Sequence, residues 1–332
     1  MAENNLKNIN NQLFKVPNRI IEINKHSSYQ NNSIEHFDDM INKTNGKGKI
    51  DIYSVFPGIE VSFNLFSAEN ILFSHKSVDY ILEINYCHDG RIGWDLKNGT
   101  SLYLGTRDLA LHTTDFCSKS NMNLPLKYYE GITVSINIKQ LQNHIPYILT
   151  EANINIDKYC QKLFSLSNPL AISANEDIDN IFSPLYRIPL SIRESYCKVK
   201  IQELLLYLSI TDFSLKKHLT YYISQQTEII KEIHTLLTNN LEIRYTIEEL
   251  SKKYLINSST LKETFKFVYG MPIGNYMKNF RIKKAMELLL STNDNIASIA
   301  SKVGYITQGK FTSAFKDVTN ILPTEYRKLK HK

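Results

Sequence analysis

The last third of the chain carries the same two-helix pattern twice. An apolar pair at i, i+4 spacing, Leu261 and Phe265, recurs as Phe311 and Phe315, and a lysine follows the second member of each pair. A shorter stretch with an apolar face precedes each pair and is expected to form the first helix of the pattern. Two helices joined by a short turn make a helix-turn-helix motif. The duplication therefore predicts two such motifs in an all-helical region.

Residue-type signals mark the helix ends in this region. Thr246 and Glu249 form a capping-box pattern, and Gly270 stands where the end of a helix needs a positive φ. Asp294 or Asn295 is expected to cap the helix that opens the second motif. The predicted helices cover 227–239, 246–254, 258–268, 272–290, 295–302 and 307–319, and a short one begins at Pro323.

The predicted helix over 272–290 joins the two motifs through an apolar face. Its length of about 27 Å would place two recognition helices in successive major grooves of DNA, which lie about 34 Å apart. Arg281 lies beside this apolar face. We therefore expect Arg281 to form a structural ion pair rather than a contact with DNA.

Short alternating segments between Ile50 and Ile138 are typical of β-strands. Period-two alternation is clearest over 80–86, and a further apolar run follows at 91–96. Several strands at such short spacing predict a small barrel, whose interior can hold a small molecule. Turn signals separate the runs, at Asp89-Gly90, Asn98-Gly99, Gly105 and Glu130-Gly131.

The spacing of apolar residues changes from strand-like to helical near residue 138. Helical spacing covers 139–149, 176–185 and 192–213. Helices here can cover the barrel or pair with a second copy of the chain, and the sequence leaves both open. The expected organisation is a polar N-terminal segment at 1–48, a β-barrel sensor domain at 49–138, a helical dimerisation or linker region at 139–226, and a DNA-binding domain at 227–332. The predicted fold class is α+β, with a cupin-like β-barrel and flanking helices before an all-α tandem helix-turn-helix domain.

Charge and cysteine usage narrow the class of protein. Residues 228–332 carry 17 basic and 10 acidic residues, whereas the rest of the chain carries 22 and 23, so the positive excess lies beside the duplicated motif. This placement favours an anionic partner there. No apolar run is long enough to span a membrane and no secretory signal opens the chain, so we expect a cytoplasmic protein. The four cysteines, widely spaced, are expected to be buried reduced thiols.

The C-terminal residues resemble the signature of AraC/XylS-type transcription regulators. The matching stretches are 281–289, 296–300, 303–305, 311–316 and 323–327. The resemblance covers about residues 227–330, and residues 258–270 further resemble the PchR-like, siderophore-responsive subgroup. It implies binding to promoter DNA through this domain, usually as an activator, with RNA polymerase as a partner. It also implies a variable N-terminal domain that senses a signal.

Two positions depart from the family pattern on the recognition helices. Where family members have a base-contacting arginine, this chain has Glu263 and Ser313, so the family's operator sequence does not carry over. Gln308 can read adenine, and Lys262 and Lys310 can reach guanine or a phosphate. Asn320 replaces a usual glycine and tolerates the same left-handed conformation. The residues expected to face bases are Ser259, Lys262, Glu263, Gln308, Lys310 and Ser313, and those expected to contact phosphate are Thr246 and Lys266.

The N-terminal domain offers fewer signals of function. Its candidate ligand-binding residues are cationic, aromatic or hydrogen-bonding, namely His88, Arg91, Trp94, Tyr103, Arg107 and His112. No His-x-His pair indicates a cupin metal site, and no phosphate-binding loop, nucleophile elbow or HExxH pair occurs. We therefore expect no metal, no cofactor and no enzymatic activity.

The sequence thus predicts a transcription regulator, expected to be an activator, that binds promoter DNA. Its N-terminal domain would bind a small-molecule effector, form a homodimer, or both. The alternative is a regulator controlled by a protein partner through that domain, with no small-molecule ligand. No membrane association is expected.

Overall fold

The computed structural model divides the chain into two compact units, residues 1–222 and 223–332. We predicted this boundary four residues later, at 227, because the helix opening the second unit begins earlier than its apolar pattern indicates. The structure describes residues 2–27, 41–74, 80–96, 98–114, 119–164, 169–212 and 218–328. Within these ranges, no helix is long and apolar enough to cross a membrane.

The N-terminal unit is built around one large β-sheet, as the predicted barrel requires. Its strands are β1 (Ile21–Ser27), β2 (Ile41–Thr44), β3 (Lys47–Phe56), β4 (Ile59–Ser67), β5 (Asn70–Ser74), β6 (Ile81–Asp95), β7 (Thr100–Gly105), β8 (Asp108–Thr113), β9 (Lys119–Asn123), β10 (Tyr129–Asn137) and β11 (Leu170–Ser173). The strand order is β1-β3-β4-β10-β6-β9-β5-β2, with β7 and β8 paired to β6 and β11 paired to β8. The two ends of this order, β1 and β2, approach each other, so the sheet is a nearly closed barrel. The predicted fold class is confirmed.

Two predicted turns lie inside strands instead. Asp89-Gly90 falls within β6 and Glu130-Gly131 within β10, and Glu130 pairs with Asp89 across these strands. Gly90 adopts a φ of 83°, and the register shifts between Glu130 and Gly131. Glycine here accommodates a β-bulge that bends two long strands, so the chain continues instead of reversing.

The sheet also extends beyond the predicted 49–138. The N-terminal segment contributes β1, which pairs in parallel with β3, and β2. It also forms α1 (Ala2–Gln12), whose end packs Ile9 and Leu13 against Tyr128. Its many asparagines conceal these few apolar positions, which is why we expected only a polar segment. The strand Leu170–Ser173, too short for a clear pattern, lies in the region that we predicted as helical.

Helices cover one face of the sheet. They are α2 (Ile138–Asn143), α3 (Tyr147–Glu151), α4 (Ile156–Phe164), α5 (Glu176–Phe182) and α6 (Arg193–Ile210), with 3-10 turns at Ser183–Arg187 and Leu190–Ile192. The predicted helix over 139–149 is two helices, because Pro146 starts the second. We did not predict α4. The helix predicted to reach residue 213 ends at Ile210, and Phe213 lies outside the described residues.

Alternation along the strands separates two cores. On one face, Val61, Ile84 and Val134 pack against buried residues of the helices, such as Leu204 and Leu208 of α6. On the opposite face, which lines the barrel, the apolar cluster comes from strands and connecting segments, and it includes Ile52, Phe66 and Trp94. The free cysteines Cys87, Cys160 and Cys197 are buried, whereas Cys117 lies outside the described residues.

The C-terminal unit contains the predicted helices with ends shifted by a few residues at most. They are α7 (Ser224–Asn239), α8 (Ile247–Lys253), α9 (Ser258–Tyr269), α10 (Ile273–Ser291), α11 (Ile296–Lys302), α12 (Gln308–Thr319) and α13 (Pro323–Lys328). The two-residue strand β12 (Tyr222–Ile223) precedes them. Helices α8 and α9 form the first helix-turn-helix motif, and α11 and α12 form the second.

The predicted caps are present. Thr246 and Glu249 form the complete capping box of α8, and Asn295 rather than Asp294 caps α11. Gly270 and Asn320 end the two recognition helices in the left-handed conformation, with φ of 78° and 62°. These contacts satisfy backbone groups that a helix end leaves unpaired, so the local sequence was sufficient to predict them.

The linker helix α10 packs against both motifs. In the first, Tyr276 contacts the rings of Phe265 and Tyr269 on α9. In the second, Ile282, Ala285 and Leu289 share a buried cluster with residues of α11 and α12, among them Phe311 and Phe315. The two motifs therefore share one continuous support.

Gly304 lies in the turn of the second motif, and a substitution there tests how closely this turn packs against the rest of the unit. Its φ is 79°, and an added Cβ would lie 2.1 Å from the carbonyl oxygen of Leu241. We expect Gly304→Ala to lower the free energy of unfolding by at least about 1 kcal/mol, since both strain and overlap oppose it. Gly274→Ala is the control, because a Cβ there meets nothing within 4 Å. Denaturant unfolding measures both, and an unchanged midpoint for Gly304→Ala would contradict the assigned turn.

Candidate nucleic-acid interface

Each recognition helix has one buried and one exposed face. On α9, Leu261, Phe265 and Val268 are buried, whereas the predicted base-facing residues Ser259, Lys262 and Glu263 are exposed with Lys266. Positions 259, 262, 263 and 266 follow i, i+3, i+4, i+7 spacing and therefore share one side of the helix. The structure brings these four predicted residues together.

The exposed face of α12 contains the three residues predicted for the second motif. Gln308, Lys310 and Ser313 are exposed, opposite the buried rings of Phe311 and Phe315. Gln308 and Lys310 belong to the first turn, the part of a recognition helix that usually reaches base edges. Their roles in DNA contact stay predictions.

The four lysines of the recognition helices are available for an anionic partner. Among the described residues, no carboxylate lies within 4.0 Å of the ammonium groups of Lys262, Lys266, Lys310 or Lys316. By contrast, Lys302 on α11 pairs with Asp294 at 2.7 Å, and Lys278 on α10 pairs with Asp317 at 3.2 Å. Unpaired cations on the two recognition helices can neutralise phosphates.

Thr246, a predicted phosphate contact, has a structural role at the start of α8. Its hydroxyl oxygen accepts a hydrogen bond from the Glu249 amide at 3.1 Å and donates one to the Glu249 carboxylate at 3.0 Å. The Thr246 amide also donates to the Glu249 carboxylate at 2.7 Å, and this bond, followed by the hydroxyl bond, lowers the pKa of Glu249. The exposed Thr246 hydroxyl is thus fixed in place.

The arginines of this unit are held by the fold. Arg244 donates from Nε to the Gly304 carbonyl at 2.7 Å, and Arg327 donates to the Asp294 carbonyl at 2.5 Å. Arg281 is buried and donates to the Ile243 carbonyl at 3.3 Å. Our prediction of an ion pair for Arg281 is wrong in its partner: within the described ranges, a carbonyl oxygen replaces the carboxylate. Burial lowers the pKa of Arg281, and nearby Arg244 lowers it further.

In the N-terminal unit, the six predicted ligand-binding residues separate into three pairs. His88 and Arg107 lie beside the covering helices, where His88 stacks on Tyr186 and Arg107 pairs with Asp179 at 3.0 Å. Burial lowers the pKa of His88, and the negative charges of Asp89 and Asp179 partly oppose this shift. The structure does not bring this pair together with Trp94 and His112, which belong to the barrel interior.

Arg91 and Tyr103 form the next pair. Burial lowers the pKa of Arg91, and the charge of Asp108 opposes this shift. The ring of Tyr103 covers Gly93, where an added Cβ would lie 2.3 Å from a ring carbon. Both residues lie on the side of their strands opposite Trp94.

The last pair, Trp94 and His112, points to a feature that the sequence analysis missed. Nine polar residues share the inner face of five neighbouring strands, and we call them the inner polar cluster. They are Ser54, Glu60, Ser62, Asn64, Glu83, Asn85, His112, Thr133 and Ser135. All are buried except Glu83, whose side chain is 15% exposed. Their alternation with apolar residues was visible in the sequence, but we read it only as a strand signal.

A directed chain of hydrogen bonds runs through this cluster. Asn64 donates to the Thr133 hydroxyl at 2.9 Å, Thr133 donates to the Asn85 amide oxygen at 2.7 Å, and Asn85 Nδ2 lies 2.9 Å from His112 Nε2. His112 Nδ1 lies 3.2 Å from the Thr113 carbonyl. These partners suit an imidazole that carries its proton on Nδ1.

Two glutamates flank Ser135 in the cluster. Ser54 donates to Glu60 at 2.9 Å, and a Glu83 carboxylate oxygen lies 3.9 Å from His112 Nε2. Ser135 lies between Glu60 and Glu83 in the cross-strand register. Among the described residues, the buried Ser135 hydroxyl has no hydrogen-bond partner. No group of three or more histidine, cysteine, aspartate or glutamate side chains in the described ranges is placed to hold a metal ion.

Comparison with known proteins supports the assignment of the C-terminal unit. A family model described as a helix-turn-helix domain matches residues 250–329. The transcriptional activator AarP of Providencia stuartii is 31% identical over 31% of this chain and 76% of its own length. The transcriptional activator RhaR of Mannheimia succiniciproducens is 26% identical over 30% of this chain, but the match covers only 36% of RhaR.

Among solved structures, the C-terminal domain of the response regulator AraT from Geobacillus stearothermophilus is similar, with 29% identity and a TM-score of 0.30. That match covers 30% of this chain and 84% of the AraT domain. The chain belongs to the AraC/XylS family of transcription regulators, and its C-terminal unit is a DNA-binding helix-turn-helix domain of the AraC type.

Proposed function

We propose that the protein is a one-component transcription activator that binds promoter DNA through α9 and α12 and receives its signal in the N-terminal unit. The observation that carries the proposal is the pair of exposed polar recognition faces, whose lysines have no carboxylate partner in the described residues. Activation would involve contact with RNA polymerase in the cytoplasm. The proposed role needs no enzymatic activity.

Similarity favours activation over repression. AarP and RhaR are both described as transcriptional activators, and each resembles about a third of this chain. Residues 258–270 also favour the PchR-like subgroup.

The inner polar cluster supports a small-molecule signal. Burying hydroxyl, amide and carboxylate groups costs free energy unless they are well paired, and apolar residues would stabilise a barrel interior more. A buried hydroxyl between two glutamates, Ser135 between Glu60 and Glu83, is a group that a polar ligand can satisfy. We infer that a small polar effector binds on this inner face.

A different set of residues favours control by a partner protein or a second copy of the chain. Four large apolar side chains near or on α6 are exposed, with exposed fractions of 71% for Leu190, 51% for Ile192, 57% for Val199 and 83% for Ile210. A contiguous apolar patch at the surface is typical of a protein interface, and these four side chains belong to one stretch of chain, 190–210. This second candidate needs no small-molecule ligand.

Binding to the genome tests the proposal directly. We expect footprinting of the full chain to give a limited set of promoter-proximal sites sharing one sequence, because two motifs on one support read a longer site than one motif does. Target genes would also indicate the signal. Uniform occupancy across the genome, with no shared sequence, would contradict sequence-specific regulation.

Two lysines on one face of α9 separate base contact from phosphate contact. We expect Lys262→Ala to change base preference at one position of the bound sequence. Lys266→Ala should weaken binding to all sequences alike and reduce the slope of log affinity against log salt by about 1. Titrations of the full chain against variant duplexes at several salt concentrations measure both. Identical behaviour of the two variants would show that the assigned roles are wrong.

A thermal-shift screen against metabolites and ferric chelates distinguishes control by a small molecule from control by a partner protein or a second copy of the chain. If an effector binds the inner polar cluster, its thermal shift should fall by at least half in Ser135→Ala, which removes the unpartnered hydroxyl. Ser195→Ala, at an exposed position of α6, should keep the full shift. A screen without hits, together with a dimer that Val199→Glu disrupts, would instead support control through a partner or second copy.

A further inference from the structure

The turns of the two helix-turn-helix motifs differ by one residue. The amides of Ile256 and Tyr305 make the same contact in their turns, each donating to the carbonyl five residues back at 3.1 and 2.9 Å. In the first motif, Asn257 follows at once as the N-cap of α9. In the second, Ile306 stands between Tyr305 and the N-cap Thr307. Ile306 is therefore the inserted residue.

The inserted residue faces solvent at the start of the second recognition helix. Ile306 is 83% exposed, whereas its neighbour Tyr305 is 9% exposed. The fold thus gains little from burying this β-branched side chain. It lies two residues before Gln308, which we expect to contact bases.

The next glycine is also unexplained by the fold. Gly309 is the second residue of α12, and an added Cβ would meet nothing within 4 Å. Glycine disfavours a helix by up to about 1 kcal/mol relative to alanine. Because no contact within the described protein requires the missing side chain, its use favours close approach by a partner. Gln308, Gly309 and Lys310 are all exposed here.

The recognition helices also lack the usual reader of guanine. Arginine pairs bidentately with guanine more often than any other side chain. The three arginines of this unit, Arg244, Arg281 and Arg327, lie outside α9 and α12, and each donates to a backbone carbonyl. The start of α12 instead presents an amide, an apolar side chain and a glycine.

We propose that the start of α12 reads A·T base pairs in the major groove, with Ile306 contacting the 5-methyl group of thymine. Gln308 pairs with the N6 and N7 groups of adenine, and apolar side chains contact the thymine methyl, which is the A·T pattern of this groove. Gly309 lets the helix approach the base edges closely. The inference rests on the proposed function, since it assumes that α12 enters DNA.

Replacing a thymidine by deoxyuridine removes only the 5-methyl group and therefore tests the proposed contact directly. Selection of duplexes from a random pool by the full chain first gives the bound sequence, and each thymine is then replaced in turn. We expect one replacement to weaken binding about fourfold, the effect of losing about one buried methyl group. Ile306→Ala should bind the thymine duplex about fourfold more weakly and lose nothing further at that replacement.

Matched variants control for stability and surface polarity. Val318→Ala removes another partly exposed apolar side chain from the far end of α12 and should keep the full deoxyuridine effect. Gly309→Ala and Gly274→Ala place a methyl group at the second residue of α12 and of α10, both in open space. Both should fold at least as stably as the parent, but only Gly309→Ala should weaken DNA binding, by about tenfold.

The outcomes separate this inference from the function on which it rests. If no sequence is enriched in the selection, the proposed function itself fails. If a sequence is enriched but Ile306→Ala keeps the full deoxyuridine penalty, or no thymine replacement matters, the assignment of Ile306 is overturned. Equal DNA affinity of the two glycine variants would overturn the role of Gly309.

Discussion

The packing of α10 between two aromatic clusters is the constraint on which the DNA-binding unit depends. His234 of α7 stacks on Tyr269 with ring centroids 4.5 Å apart and contacts the Tyr276 hydroxyl at 2.9 Å, which ties α7, α9 and α10 together. At the other end of α10, Phe315 packs between Phe311 and Tyr326. With no glycine or proline in its interior beyond the first turn, the 19-residue helix transmits the position of one motif to the other.

In the proposed function, that support would carry base-contacting residues other than arginine. Arg281 fixes the fold by donating to the Ile243 carbonyl, so arginine serves structure rather than base contact here. In the proposed function, Lys266 would supply sequence-independent attraction to phosphate, whereas Lys262 and the amide and apolar groups would supply discrimination between bases. In this proposal, affinity and specificity are therefore divided between different residues of the same two helices.

The N-terminal barrel divides its two faces in a comparable way. Helices cover the outer face of five strands and bury its apolar residues, so that face supplies stability. The inner face of the same strands holds the inner polar cluster, whose hydrogen bonds run in one direction from Asn64 to His112. Such a network is costly to assemble but specific in geometry, which suits a surface that recognises a signal.

The sequence by itself determined the C-terminal unit almost completely. Caps and turn residues such as Thr246, Gly270 and Asn320 act through the nearest backbone groups, and the i, i+4 pairs at Phe265 and Phe315 define buried faces within one helix. The exposed faces of α9 and α12 followed from the same short-range pattern. Local interactions decide these features, so a local pattern predicts them.

Only the tertiary structure decided which distant residues meet. Asp89-Gly90 carries a turn signal, yet pairing with the bulged strand β10 makes it a bend within β6. The six predicted ligand residues separate because alternation and strand order send them to different faces. Glu60, Ser135, Glu83 and His112 come together only through the register of four strands far apart in sequence. Strand pairing is non-local, and a shift of one residue exchanges the two faces, so the sequence alone could not specify this cluster.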